Sequence, residues 1–280
     1  MQTVNFFGKD LSRLIVGDNP FTGHSYTDLL TERELLSYHT EENIIASLQE
    51  AERCGYNAML PLGDPFILRS LYHFEERGGN MTYILQFFPS MDIRADLRIF
   101  KQLNGAFAVY HQGTTTDNLY ENGKVDQIKE NLKILRASGL KVGLGTHRPD
   151  VIELCESEGW DVDFYVACLQ NARRGREREE SGFITGKTKQ GLLFYPEDRP
   201  IMLDLISRVT KPCIAYKIFA GGQMFQGHTD EEVADLIRGV YREVFTKIKP
   251  TDLACIGVYQ GKKNQLKQDA DLFAEVMETL

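Results

Sequence analysis

The 280-residue chain has no long hydrophobic run. No apolar stretch approaches the ~20 residues that a membrane helix needs, and Met1 to Lys9 carry no apolar signal core. Positive charge is not in excess: 32 Lys and Arg against 40 Asp and Glu leave a formal net charge of -8. Such a balance repels phosphate backbones and speaks against nucleic-acid binding. The five cysteines, at positions 54, 155, 168, 213 and 255, form no CxxC pair. That spacing removes a zinc knuckle and a disulfide framework and fits reduced thiols. Internal repeats and low-complexity tracts are absent as well. These absences predict a soluble cytoplasmic protein that handles a small molecule, without a nucleic-acid or membrane partner, and they leave homo-oligomer formation open.

Against these absences stands a regular alternation of short apolar runs and amphipathic stretches. The runs are Leu14–Gly17, Ala58–Leu62, Tyr83–Phe87, Ala106–Tyr110, Lys141–Gly145, Val162–Cys168, Cys213–Ile218 and Ala254–Tyr259. Continuous apolarity marks strands buried on both faces, as in parallel sheets. Thr40 opens a helix over Glu41–Arg53 that Cys54 and Gly55 close. Thr229 and Glu232 form a capping box ahead of Val233–Phe245, and Gly123–Ala137 carries Val125, Ile128, Leu132 and Leu135 on one stripe. Pro149 and Pro196 suit first-turn positions, and Pro212 the start of a strand. Eight alternations in a chain of this length predict one domain over residues 1–280, a (β/α)₈ TIM barrel. Its long loops follow strand one (Phe21–Tyr38) and strand six (Asn171–Tyr195). The competing open doubly wound sheet lacks its GxGxxG signature.

In this fold catalytic side chains come from the carboxyl ends of strands. There stand Asp18, Asn19 and His24 after strand one, Asp64 after strand two, Gln86 on strand three and His111 with Gln112 after strand four. Thr146 and His147 end strand five, Cys168, Gln170 and Asn171 strand six, Lys217 strand seven and Tyr259 with Gln260 strand eight. We take Asp64, His111, His147 and Lys217 as candidate catalytic residues. Asp18, Asn19, His24, Gln86, Asn171 and Tyr259 are candidate substrate contacts. Lys217 sits in an apolar strand, so it needs a partner or a lowered pKa. It reads as a cation for an anionic group, an amine for imine chemistry, or a structural pair with Asp64 or Asp18. Asp18 and Asp64 also suit helix or turn capping, and His111 and His147 also suit satisfied core positions. Gly221, Gly222, Gly261 and Lys262 follow the last two strands, where barrels often hold a phosphate group. Asp18, Asp64, His111 and His147 form an alternative set of ligands for a divalent metal. The run of Arg173, Arg174, Arg176 and Arg178 into Glu177, Glu179 and Glu180 reads as a solvated surface or as a clamping lid.

Residues 12–275 resemble the aldo/keto reductase barrel superfamily. Ser12 to Gly17 resembles its first strand, Thr40 to Met59 its first helix and second strand, and Val109-Tyr110-His111 its strand-four histidine. Leu135 to Gly145, Asp161 to Asn171 and Tyr259 to Asp271 are similar to later passages. The resemblance implies a reductase acting on a small carbonyl or sugar-like compound, with NADP near the last two strand loops. It matches Asp64 and His111 to two members of the catalytic tetrad. Gln86 stands where the family has Lys, and its Tyr has no counterpart. A second, looser resemblance is to a set of uncharacterised TIM-barrel proteins with a similar "GDNPF…H" start. Two alternatives to a reductase follow. One is a lyase or isomerase using Lys217 with His111 and His147, metal-assisted or imine-forming. The other is a non-catalytic binding barrel.

Overall fold

A computed structural model describes residues 1–87, 93–170 and 194–280. It opens with a hairpin, β1 (Thr3–Phe6) and β2 (Lys9–Ser12), paired antiparallel with Phe6 opposite Lys9. The connecting Phe7 and Gly8 both have positive φ, the combination that a two-residue hairpin turn requires. The apolar runs do not predict this hairpin. Phe6 and Leu11 pack with Ile15 and Phe164, and the Phe6 and Phe164 ring centroids are 5.6 Å apart. The hairpin therefore closes the amino-terminal floor of the fold.

Eight parallel strands follow and close into a barrel: β3 (Leu14–Gly17), β4 (Ala58–Leu60), β5 (Thr82–Phe87), β6 (Ala106–His111), β7 (Lys141–Thr146), β8 (Phe164–Cys168), β9 (Cys213–Tyr216) and β10 (Leu253–Gly257). Each pairs with its sequence neighbour, and β10 returns to β3 with Cys255 beside Ile15. This is the TIM barrel, and every strand lies within a residue or two of its predicted run, apart from the hairpin. Among the described residues the α-helices are α1 (Leu29–Tyr38), α2 (Glu41–Arg53), α3 (Pro65–Glu76), α4 (Ile93–Phe100), α5 (Gly113–Glu121), α6 (Val125–Arg136), α7 (Pro149–Ser157), α8 (Asp198–Arg208), α9 (Asp230–Lys247) and α10 (Gln265–Met277). Pro149 sits in the first turn of α7, and Thr229 with Glu232 forms the capping box of α9. Pro196 lies two residues ahead of α8 rather than within its first turn. Helix α1 occupies the loop after the first barrel strand. The predicted second loop lies at residues 171–195, of which 171–193 are outside the described residues.

Strand geometry makes two cores. Side chains alternate across a strand, so Ile15, Ala58, Leu60, Ile84, Ala108, Tyr110, Val166, Ile214 and Leu253 fill the interior. Val16, Met59, Leu85, Val109, Val142, Leu144, Tyr165 and Ala215 pack outward against the helices. The same alternation decides which polar residues at the strand ends face the barrel mouth. Among the described residues, no helix is long and apolar enough to cross a membrane.

Candidate active site at the carboxyl ends of the strands

A cavity of about 510 Å³ opens at the carboxyl ends of the strands. Leu60, Leu62, Ile218, Phe219 and Phe225 give it apolar walls. Its polar lining includes Asp18, Asn19, His24, Tyr26, Gln86, Tyr110, Gln112, Thr114, His147, Tyr216 and Lys217. A few converging polar groups in a concave apolar setting are what a small-molecule site requires. A second concavity, between α4 and α6, lies on the outside of the barrel near the amino-terminal ends of β6 and β7. It includes none of the candidate residues.

The ionisable centre is built on β7, α5 and β9. Gly143 and Gly145 occupy the inward positions of β7; a Cβ on Gly145 would stand 2.8 Å from the His111 carbonyl oxygen and 3.1 Å from the Gly113 nitrogen. The next inward residue is His147. Its Nδ1 lies 2.7 Å from Oδ2 of Asp117, a buried residue of α5. Asp117 also accepts from the Thr146 hydroxyl and from the His147 backbone N–H. A carboxylate can only accept, so Nδ1 carries the hydrogen and Nε2 is left to face the cavity. Nε2 lies 3.0 Å from the Tyr216 hydroxyl and 3.1 Å from Lys217 Nζ. Helix α5 begins at Gly113, where a Cβ would sit 3.0 Å from that hydroxyl and 3.2 Å from His147 Cε1. Burial and the nearby Lys217 oppose charge on His147, yet the neighbouring Cys168 and Asp117 outweigh them, and its pKa is raised. Burial likewise opposes the Cys168 thiolate, but His147 and Lys217 pull its pKa down.

Lys217 reaches this centre through unusual backbone. Alternation after Tyr216 would send its side chain outward, but its φ is 55°. Left-handed backbone at a non-glycine residue costs on the order of 1–3 kcal/mol and often marks functional positions. Its Nζ lies 4.7 Å from the centroid of the Tyr26 ring, 5.3 Å from Phe194 and 5.6 Å from Tyr216. Among the described residues no carboxylate lies within ion-pair distance, so the structural pairing with Asp18 or Asp64 is not formed.

Asp18 lies on the far side of the ring. It is buried, lines the cavity and accepts a hydrogen bond from the Leu62 backbone N–H. Burial, with a smaller contribution from Asp64, pushes its pKa up to about 7 against the lowering effect of backbone hydrogen bonds. Asn19 donates from Nδ2 to the Tyr26 hydroxyl at 2.9 Å, and the Tyr110 hydroxyl donates to Gln86 Oε1 at 2.7 Å. Gln112 caps α5 by accepting from the Thr115 backbone N–H at 3.0 Å. These pairs fix neutral hydrogen-bonding groups around the cavity.

Several candidates lie elsewhere. His111 follows Val109 on the outward face of β6 and does not line the cavity. The Thr116 hydroxyl donates to the Gln112 carbonyl, so it accepts from His111 Nδ1–H at 2.8 Å, and Asn131 donates to Nε2 at 3.1 Å. That pattern describes a neutral ring, and burial lowers its pKa to about 4. Asp64 caps α3, accepting from the Phe66 and Ile67 N–H groups at 2.9 and 3.2 Å. Tyr259 donates to Glu34 and packs on Tyr38. Lys262 also pairs with Glu34, at 2.9 Å on the surface. Gly261 lies under the Tyr259 ring, and of the four predicted cofactor residues only Gly221 and Gly222 line the cavity. The dispersed set does not make a phosphate cradle for NADP. Asp18, Asp64, His111 and His147 do not converge, and among the described residues no group of three or more His, Cys, Asp or Glu can hold a metal ion. Asn171 and the Arg173–Arg178 run lie outside the described residues.

Asp117, Tyr26, Tyr110 and Tyr216 join the site without having been singled out by the sequence. Tyr110 and Tyr216 were legible in principle, because they share the inward register of Ala108 and Ile214. Asp117 carried a weaker signal, a carboxylate on the buried face of α5 with Gly113 and Thr116.

The fold and the position of the cavity place the protein among TIM barrels. No protein-family model matches the sequence, and no curated protein matches it significantly. Solved structures share the fold. An aldo-keto reductase from Bacillus halodurans in its holo form aligns over 99% of this chain and 94% of its own, with TM-score 0.53 and 10% identity. An aldo/keto reductase from Brucella melitensis aligns over 97% and 93%, with TM-score 0.51 and 11% identity. An uncharacterised Bacillus cereus protein aligns over 84% of this chain at TM-score 0.47 and 15% identity, and the chain spans 62% of that protein's length. The resemblance to aldo/keto reductases is therefore one of fold.

Proposed function

We propose that this barrel is an enzyme of the lyase or isomerase type that acts on a small, hydroxylated carbonyl compound through the amine of Lys217. One observation carries the reading: Lys217 Nζ lies 3.1 Å from a histidine nitrogen whose ring is held from behind by a buried carboxylate. Asp117 keeps the hydrogen on Nδ1 of His147, so the Nε2 lone pair faces the Tyr216 hydroxyl and the Lys217 ammonium and can accept a proton from the latter. The resulting amine attacks the carbonyl carbon; a C–N bond forms and the carbonyl oxygen leaves as water. The iminium then draws electrons from a bond at the adjacent carbon, which breaks. Cys168 and Asp117 raise the pKa of His147, which favours transfer of this proton onto its ring. The paired amides and phenols supply neutral donors and acceptors for hydroxyl groups.

The reductase reading receives less support. Its two matched residues, Asp64 and His111, are a helix cap and an outward-facing ring, and neither lines the cavity. Borohydride trapping with dihydroxyacetone, glycolaldehyde and pyruvate, read by intact mass, tests the amine reading. A reduced adduct that maps to Lys217 and disappears in Lys217→Met is expected. Absence of any adduct, or an equal adduct in the variant, would exclude it. Saturable quenching of NADPH fluorescence would revive the reductase.

A further inference from the structure

We propose that Asp18 is a second proton-transfer residue of this cavity, and that the substrate is a β-hydroxy carbonyl compound whose hydroxyl faces Asp18 while its carbonyl faces Lys217. The proposal rests on the amine reading above and deepens it. Strand order supplies the geometry. In the closed ring β3-β4-β5-β6-β7-β8-β9-β10, the strand that leads into Asp18 stands two places from the one that leads into Lys217. Both side chains line the same cavity. His147 serves the amine from its own side, four places from the strand of Asp18, so the Asp18 carboxyl is left to meet a hydroxyl carried on the second carbon from the carbonyl carbon.

The surroundings of Asp18 fit this role. Its carboxylate is held by the Leu62 N–H, which fixes its direction. The titratable groups that interact with it are Asp64 after β4, Tyr110 on β6 and Cys255 on β10, none of them a cation. A buried carboxyl without a cation partner retains a proton more readily than an exposed one, and its pKa near 7 lets it both release and accept that proton in neutral solution. In the cleavage direction, Lys217 first forms the iminium with loss of water. The Asp18 carboxylate then takes the β-hydroxyl proton, the O–H electrons become a C=O bond and the Cα–Cβ bond breaks. Its electron pair moves through the new C=C bond onto nitrogen. Protonation of that enamine at carbon and hydrolysis return the amine, so no oxidant or reductant is consumed.

Diacetone alcohol, a small β-hydroxy ketone that cleaves to two molecules of acetone, is the probe. Borohydride adducts read by mass report the iminium, and NMR reports acetone. Wild type is expected to give both. Asp18→Asn should keep the adduct and release acetone about 10²–10⁴-fold more slowly. Lys217→Met should give neither, and Asp18→Glu, which retains a carboxyl, should recover part of the release. Release at the wild-type rate in Asp18→Asn overturns the proposal, as does a wild-type adduct with no release. Absence of the adduct in wild type defeats the amine reading instead. Infrared difference spectra then decide Asp18: a protonated-carboxyl band lost in Asp18→Asn and titrating near neutrality supports it, and absence of that band at pH 6 overturns it.

Discussion

Two histidines, one strand apart, show what separates a packed polar residue from a site residue. His111 ends β6 and turns outward, where Thr116 and Asn131 satisfy both ring nitrogens. His147 follows β7 and turns inward, where a buried carboxylate satisfies one nitrogen and the other meets an amine and a phenol at the cavity wall. Both are nearly inaccessible, so burial does not distinguish them. The identity of the partners does: neutral partners hold His111 uncharged, and ionisable partners make the protonation of His147 conditional. The difference arises from strand parity, a matter of a single residue.

Removal of the carboxylate should break the comparison most strongly. Asp117→Asn replaces the acceptor behind His147 with a group that can donate, so the ring can take the other tautomer and Nε2 loses its lone pair. Formation of the borohydride-trapped adduct is expected to slow by about 10²-fold or more. His147→Gln should behave similarly. An unchanged trapping rate in Asp117→Asn would separate Lys217 from the His147 relay.

The opposite result is expected at His111. His111→Leu leaves the buried Thr116 hydroxyl and the half-buried Asn131 amide without their ring partner, at a cost of about 1–3 kcal/mol, while trapping at Lys217 proceeds at the wild-type rate. Thermal melts check the first part and mass spectrometry the second. A large loss of trapping with an unchanged melting temperature would put His111 back in the site.

How much of this contrast was legible follows from the same parity. The eight strand runs are visible because strands covered on both faces are apolar throughout. That continuity also conceals which face each residue takes. Val109, Tyr110 and His111 read alike as a run, and only the register, set by inward Ala108 and Tyr110, shows that His111 points away. The backbone reversal at Lys217 is hidden for a different reason: no glycine or asparagine announces its positive φ. The hairpin floor escaped because its strands are four residues each and partly exposed. Asp117 needed the helix face and the neighbouring strand together, which is tertiary information. By contrast, Thr229 with Glu232 and Thr40 are local signals, and both caps form where predicted.

Dependence on pH sharpens the comparison further. The folded pKa of His111, about 4, lies below its ordinary 6.5. The unfolded chain therefore binds more protons in that window, and stability falls as pH drops from 6.5 towards 4, by on the order of 3 kcal/mol. Asp18 has the opposite sign. Its folded pKa, about 7, lies above the ordinary 3.8; the folded state binds more protons between these values, and stability falls as pH rises through them, by on the order of 4 kcal/mol. Asp269, buried beside Tyr241 and also near 7, acts in the same direction as Asp18. Denaturant titrations from pH 4 to 8 should show partial cancellation in wild type. Asp18→Asn should make the fall of stability with rising pH shallower, and His111→Leu should make it steeper. Parallel profiles for all three proteins would contradict the assignment of either group.

The smallest effect is expected at the rim, and its smallness is informative. Lys262 follows the last strand, where a phosphate contact would stand, yet it pairs with Glu34 in an exposed position and does not line the cavity. A solvent-exposed pair gains little because water and salt screen it and two flexible side chains must be held in place. Lys262→Ala should therefore leave the melting temperature, the adduct at Lys217 and acetone release from diacetone alcohol unchanged. A cofactor phosphate bound at this rim would behave differently, since loss of its cation would weaken NADPH quenching several-fold. Measuring trapping and NADPH quenching on the same Lys262→Ala preparation compares the two chemistries directly: an inert variant agrees with a site confined to the inner wall, and selective loss of NADPH binding would extend it outward to the last loop.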